Sequence, residues 1–339
     1  MHTNEIEDRH SIHSGWLKII MQTLQAHNIE TSHLLDEFQL SANHFGEYDI
    51  RNLRSIHQYA IKTSHNPLFS ADAANYITPF SFGCYSLMLW SAPNVHQLIC
   101  DAARYFIFVA PQIRLKVVEL EGITEIWLIN NNSNESTRVT TIGMITTVSV
   151  LLTIIRKTTG QRLPRSTYHS AIPNCDSEIR AALEHRFDTK IVSTSSHRRL
   201  VFKREDLNAP LIHSSPETYQ ANLAIVKRRT IQLSKSDVIL QLHIIFEQAE
   251  TLQHMTIHNV ASQLYVSPRT LNRKLTKVGT TFKATLENYR LEMALQLLRE
   301  PNTPITTIAY HLGFSELSSF SRAFKRWTGY CPTQIDNHP

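Results

Sequence analysis

The strongest constraint on this chain is a pattern that occurs twice near its C-terminus: a short amphipathic segment, a tight turn, and a second amphipathic segment whose outer face is polar and basic. In the first copy, Ile257, Val260, Ala261 and Leu264 fall on one helical face. Thr256 stands where an N-cap belongs, and the small Ala261 allows another helix to cross closely. Tyr265-Val266-Ser267 makes the turn. Ser267-Pro268 then reads as a second cap, with proline in the first helical position. The helix expected over Pro268–Leu275 buries Leu271 and Leu275 and turns Arg269, Thr270, Asn272, Arg273 and Lys274 outward.

In the second copy Ile305, Ile308, Ala309 and Leu312 form the short segment, with Thr303 as the expected cap and Pro304 next. Gly313-Phe314-Ser315 makes the turn, the glycine suiting a left-handed helix end. The helix expected over Glu316–Arg326 buries Phe320, Ala323 and Phe324 and exposes Leu317, Ser318, Ser319, Arg322, Lys325 and Arg326. Between the copies, Gly279 ends one helix and Thr281 caps a longer one, Phe282–Arg299, with Leu286, Tyr289, Ala294, Leu297 and Leu298 on its apolar face. Such a helix spans about 27 Å. That length can hold two reading helices roughly one DNA turn, about 34 Å, apart, in successive major grooves.

A short helix, a tight turn and a polar helix rich in Arg and Asn is the helix-turn-helix pattern, and double-stranded DNA is the partner it implies. Asn pairs bidentately with adenine and Arg with guanine, so Arg269, Asn272, Arg273, Ser318, Ser319 and Arg322 are the base-contact candidates. Phosphate contact or simple solvation is the alternative for each. Leu317 can meet a thymine methyl. Lys274, Lys277, Lys325 and Arg326 are expected at phosphates. Glu316 either complements the helix dipole or meets cytosine. The charge balance agrees: the chain carries a net +5, and residues 231–339 hold 11 Lys and Arg against 8 Asp and Glu.

Upstream, the fold expectation is a mixed α+β domain over residues 1–230, followed by an all-α domain over 231–339. Helices are expected within 16–63, from Leu68, over Thr137–Thr158, over Ser177–His185 and over Leu211–Val226. Strands are expected at Ile113–Leu120 and Thr124–Ile129, paired through Glu121-Gly122, and at Ser166–Ala171, Lys190–Thr194 and Arg199–Lys203. Lys227-Arg228-Arg229 and Gln232–Asp237 read as the domain boundary, the basic triplet either a solvated linker or a contact to the DNA backbone. No run of about 18 apolar residues is apparent, so no membrane span is expected. The richest stretch, Thr140–Ile155, is broken by threonines and reads as a buried helix. The polar N-terminus lacks the apolar region of a secretory signal, and Cys84, Cys100, Cys175 and Cys331 form no CxxC pair. A cytoplasmic location with reduced thiols follows as the expectation.

No phosphate-binding loop, dinucleotide fingerprint, HExxH or GxSxG occurs, so neither an enzyme nor a cofactor is expected. No metal is expected either: Thr256 separates His254 from His258, and His10 and His13 lie in a polar tail. Phe80, Phe82, Tyr85, Trp90, Tyr105, Phe106 and Phe108 either line an effector pocket or pack as core.

The C-terminal residues also carry a resemblance. Gly313-Phe314, the run Ser321-Arg322-Ala323-Phe324-Lys325-Arg326-Trp327-Thr328-Gly329 and Pro332 resemble the signature of AraC/XylS-type transcription regulators. So does Val266-Ser267-Pro268-Arg269-Thr270-Leu271 with Arg290, Ala294 and Leu298. The family often closes with an aromatic residue and Arg after the proline. Ile335-Asp336 stand there instead; Ile335 can still plug the bundle, but the terminal Arg is absent. Further upstream, His65-Asn66-Pro67-Leu68-Phe69, the aromatic Phe80–Trp90 stretch, Leu200-Val201-Phe202, Asp206-Leu207 and Pro210-Leu211 resemble the arabinose-binding-type N-terminal domain of one subgroup. The resemblance implies a regulator controlled by a small-molecule effector, with RNA polymerase and a second copy of the chain as further partners. Effector, operator and the choice between activation and repression stay open, as does control by a partner protein.

Overall fold

The computed structural model describes residues 11–43, 46–131, 138–160, 163–170, 177–193, 198–300 and 303–334. His10, Cys175, Ile335 and Asp336 lie outside them, as do Thr137, Ala171 and Thr194 at the ends of expected elements. The chain divides into two compact units between Leu233 and Ser234.

The N-terminal unit begins with β1 (Ser11–His13) and α1 (Ser14–Ala26), then α2 (Leu34–Glu37), β2 (Glu47–Asp49) and α3 (Ile50–Ser64). The 16–63 segment is therefore not wholly helical: β2 pairs antiparallel with β1, Ile12 opposite Tyr48. Three-residue strands are too short to show alternation, and their partner lies far along the chain. Then come α4 (Phe69–Asp72), α5 (Cys84–Trp90) and α6 (Val95–Arg104).

The hairpin of β3 (Ile113–Leu120) and β4 (Ile123–Asn130) turns at Gly122, whose φ of +72° suits a residue without a Cβ. After α7 (Thr141–Thr158) come β5 (Ser166–Ser170), α8 (Ser177–Phe187), β6 (Lys190–Ser193) and β7 (Arg198–Lys203). The sheet runs in the order β3-β4-β7-β5-β6, antiparallel except for the β5–β6 pair. Leu115, Ile126, Leu128, Leu200 and Phe202 on its strands join Val148, Leu151, Leu152 and Ile155 of α7 in one hydrophobic core.

By length and composition alone α7 would suffice to cross a membrane, but it is the buried helix expected from its sequence, with 67% of it buried within the protein. Thr146, Thr147 and Thr158 donate their hydroxyls to the carbonyls of Ile142, Gly143 and Ile154, which satisfies them inside an apolar environment.

The division between Leu233 and Ser234 falls within the expected Gln232–Asp237 boundary, but the chain there is helical. Residues 227–236 continue α9 (Pro216–Ser236), which starts later than Leu211 because Pro216 opens it, with the Ser215 hydroxyl accepting from the Thr218 amide. Lys, Arg and Gln are good helix formers, so a polar run here is a solvated helix face. Tyr219, Leu223 and Val226 form the buried face, and Tyr219 donates to the Asp101 carboxylate.

The C-terminal unit contains α10 (Val238–Glu247), α11 (Ile257–Gln263), α12 (Pro268–Lys277), α13 (Phe282–Leu297), α14 (Ile305–His311) and α15 (Leu317–Thr328), with no strand among its described residues. Helix α10 was not apparent from periodicity because its sequence is apolar nearly all round. Asp237 caps it, one carboxylate oxygen accepting from the Ile239 and Leu240 amides, both at 2.9 Å. Phe246 packs on Tyr289 of α13 at 5.3 Å between ring centroids.

Candidate nucleic-acid interface and ligand cavity

Each short helix is followed by a turn of the same backbone form. Thr256 caps α11, its hydroxyl accepting from the Asn259 amide at 3.2 Å. Ser267 caps α12, accepting from the Thr270 amide at 3.1 Å. Leu271 and Leu275 are fully buried. Their burial fixes the opposite face of α12, where Arg269, Asn272, Arg273, Lys274 and Lys277 are all exposed. Thr270 is half-buried, and its hydroxyl lies 2.9 Å from that of Ser267. It belongs to the cap as much as to the outer face.

In the second unit the cap of α14 is Pro304, not Thr303, and no side chain caps it. Helix α15 starts at Leu317, one residue later than expected, with Glu316 as an N-cap that accepts no amide through its side chain. The Glu316 carboxylate instead accepts from the Ser318 hydroxyl at 3.1 Å. Phe320 and Phe324 are fully buried and Ala323 nearly so. Ser318, Arg322, Lys325 and Arg326 are exposed, Leu317 is 42% exposed, and Ser319 is half-buried. Arg322 reaches the Ser319 hydroxyl at 3.4 Å. Arg326 is ion-paired with Glu287 of α13 at 2.9 Å, a partner that spacing along the sequence did not indicate.

The connecting helix α13 has 16 residues, about 24 Å at the usual rise, shorter than the expected 18. From it Arg290 donates to the Leu252 carbonyl at 3.2 Å and stacks over Phe314, 5.2 Å from the ring centroid. The Leu252 amide in turn bonds the His311 carbonyl at 3.0 Å. The second turn is thereby tied to the connecting helix and to the segment before α11.

With this geometry in hand, the comparisons with known proteins decide the family. Residues 29–211 match the arabinose-binding domain of AraC transcription regulators, N-terminal, and residues 260–338 match a helix-turn-helix domain. The chain belongs to the AraC family. This AraC-family chain is a DNA-binding transcription regulator with an arabinose-binding-type N-terminal domain. The uncharacterized HTH-type transcriptional regulator Rv1395 of Mycobacterium tuberculosis is 27% identical over 75% of this chain and 74% of its own length. The HTH-type transcriptional activator RhaS of Escherichia coli O157:H7 is 42% identical over 22% of this chain and 28% of its own. The crystal structure of transcriptional regulator CdpR from Pseudomonas aeruginosa aligns over 94% of this chain and 96% of its own, at 20% identity and a TM-score of 0.47.

In the regulator's N-terminal unit, Phe82, Tyr85, Trp90, Tyr105 and Phe106 are buried in the core, Phe108 packs against it, and Phe80 is exposed. Phe82, Tyr85 and Phe106 also border a small cavity. A larger one, of about 70 Å³ and open to solvent, lies among α1, α3 and the start of α7. Sequence reading missed it. Ile20, Ile50, Leu53 and Ile142 wall it, with Arg54 and Arg138 also in its lining. His57 on the same wall is buried, which pushes its pKa down to about 4 and leaves it neutral.

The structure also brings His96 and Cys100 of α6 to Glu119 of β3, their donor atoms all within 4.8 Å of one another. Glu119 is already engaged, by Arg204 at 2.7 Å, the Thr124 hydroxyl at 2.8 Å and His96 at 3.0 Å. The guanidinium against this carboxylate opposes a cation. Cys84, Cys100 and Cys331 are free thiols.

Proposed function

We propose that α12 and α15 are the two reading helices of an effector-controlled regulator and enter successive major grooves on one face of the DNA. One observation carries this: both helices turn a polar, basic face to solvent opposite a buried Leu or Phe face. Arg269, Asn272, Arg273, Ser318, Ser319 and Arg322 address base edges, with Thr270 beside them and Leu317 against a thymine methyl. Lys274, Lys277, Lys325 and Arg326 address phosphates, Arg326 exchanging Glu287 for the backbone. An effector in the N-terminal unit shifts the balance between two states by binding one of them better. The regulator acts by binding rather than turnover, in the cytoplasm, as a homodimer in contact with RNA polymerase.

The test is anisotropy titration on a DNA fragment that the protein itself selects from a random pool. Arg322→Ala should lose about 1–3 kcal/mol and relax preference at one position, whereas Lys277→Ala should weaken all sequences alike and reduce the salt slope by about one. Unchanged affinity and preference in Arg322→Ala would remove α15 from the reading role.

A further inference from the structure

We infer that His96 and Cys100, one turn apart on α6, bind a soft monovalent cation, Cu(I), with Glu119 of β3 as its countercharge. The site goes beyond the DNA-reading and effector roles above. Four residues apart, His96 and Cys100 share one helical face. That face meets β3, where the His96 Nε2 lies 3.0 Å from the Glu119 carboxylate. The Cys100 Sγ lies 3.9 Å from each nitrogen of the His96 ring. An ion bonded to sulfur at about 2.3 Å and to nitrogen at about 2.0 Å spans that separation with an angle of about 130°. Rotation of the ring about its Cβ–Cγ bond aims one nitrogen at the ion. His96 and Cys100 are half-buried and Glu119 is exposed, so an ion reaches the pair from solvent.

Charge and softness select the ion. A bound thiolate and the Glu119 carboxylate bring two negative charges, and Arg204, 2.7 Å from that carboxylate, returns one positive charge. The balance of one negative charge matches a monovalent cation. A divalent ion would leave a net positive charge beside the guanidinium, which opposes it. Hard cations need several oxygen ligands. Glu119 offers them only the oxygen that faces His96, because its other oxygen accepts from Arg204 and from the Thr124 hydroxyl at 2.8 Å. Thiolate sulfur with imidazole nitrogen suits Cu(I), and the pair falls short of the four ligands of a structural Zn(II) site. On binding, the Cu–S bond replaces the S–H bond, and that proton leaves to solvent, one per ion.

The experiment is anaerobic titration of the reduced full-length protein with the Cu(I)–bicinchoninate complex. It is read by loss of that complex's colour and by the thiolate-to-copper charge-transfer band in the ultraviolet. One Cu(I) per chain should transfer, and Zn(II) should bind at least a hundredfold more weakly in a parallel calorimetric titration. Cys100→Ser, which exchanges a single heavy atom, should abolish the transfer, and His96→Gln should weaken it at least tenfold. Both variants should keep the thermal midpoint of the metal-free protein. Cys84→Ser, Cys175→Ser and Cys331→Ser should leave the transfer intact. Arg204→Gln should narrow the gap between Zn(II) and Cu(I). Undiminished transfer to Cys100→Ser would put the copper on another thiol and overturn the site. Undiminished affinity in His96→Gln would reduce it to a single thiol and overturn the pair. Zn(II) bound as tightly as Cu(I) would overturn the selection by charge. No transfer to the parent protein, even in excess over the chelator, would remove the site.

Discussion

In the first helix-turn-helix unit the residue that follows the C-cap of the short helix is Tyr265; in the second it is Gly313. Both adopt left-handed backbone, with φ of +54° and +80°. The hydrogen bonds match residue for residue. Tyr265 and Gly313 donate to Ser262 and Tyr310 at 3.0 and 2.9 Å, and Val266 and Phe314 to Ala261 and Ala309 at 3.0 and 2.9 Å. The same turn is thus built from a tyrosine and from a glycine. What differs is the surroundings. Tyr265 is 95% exposed, so its side chain meets only solvent. At Gly313 a Cβ would lie 2.5 Å from the Gln253 nitrogen and the Leu252 carbonyl carbon, backbone that cannot move aside cheaply. The units diverge again one step later. The first enters its reading helix directly through the Ser267 cap, while the second inserts a residue and enters through Glu316, whose side chain caps no amide. Identical local geometry therefore carries different tolerances, and only the second turn is pinned from outside.

The largest test of that contrast is Gly313→Ala. Left-handed strain of about 1–2 kcal/mol and the backbone clash of about 1–3 kcal/mol should together lower stability by about 2–5 kcal/mol in urea unfolding. Tyr265→Gly at the matching position should stay within about 1 kcal/mol of the parent, since relief of strain opposes the added chain entropy. Equal losses at both positions would erase the distinction. Next in size is Arg273→Ala, at the position of α12 that corresponds to Arg322 in α15. It should cost about 1–3 kcal/mol of DNA affinity and relax preference at a different base pair from Arg322→Ala. Loss of preference at the same base pair would mean that the two helices do not read separate half-sites. Smallest is the cap pair. Ser267→Ala should lose about 1 kcal/mol, whereas Glu316→Ala, which removes no cap to a backbone amide, should stay within about 0.5 kcal/mol. A larger loss at Glu316 would show that the second reading helix is held at its start after all.

How much was legible follows from the range of each interaction. The β3–β4 hairpin could be read because alternation over eight-residue strands and a glycine turn lie in one continuous stretch. The reading helices could be read because a cap, a buried pair such as Leu271 and Leu275, and a polar face fall within ten residues. Helix α10 could not, because Val238, Ile239, Leu242, Ile245 and Phe246 are all buried and leave no polar stripe to mark a period. The helical state of the polar half of α9 is not legible, because composition alone does not separate a solvated helix face from a loop. The outward placement of Arg326 was readable from helical spacing, but not its pairing with Glu287.

By itself, then, the sequence determined the two helix-turn-helix units, their polar outer faces and the mixed character of the upstream unit. These rest on caps, turn sterics and amphipathic periods, all acting within a few residues. Tertiary structure alone decided that Gly313 cannot carry a side chain, that Arg290 ties the second turn to the connecting helix, and that Arg54 and Arg138 share one apolar cavity. Those outcomes depend on segments distant along the chain approaching to within a few ångströms. Close packing sets that approach, and no local spacing in the sequence records it.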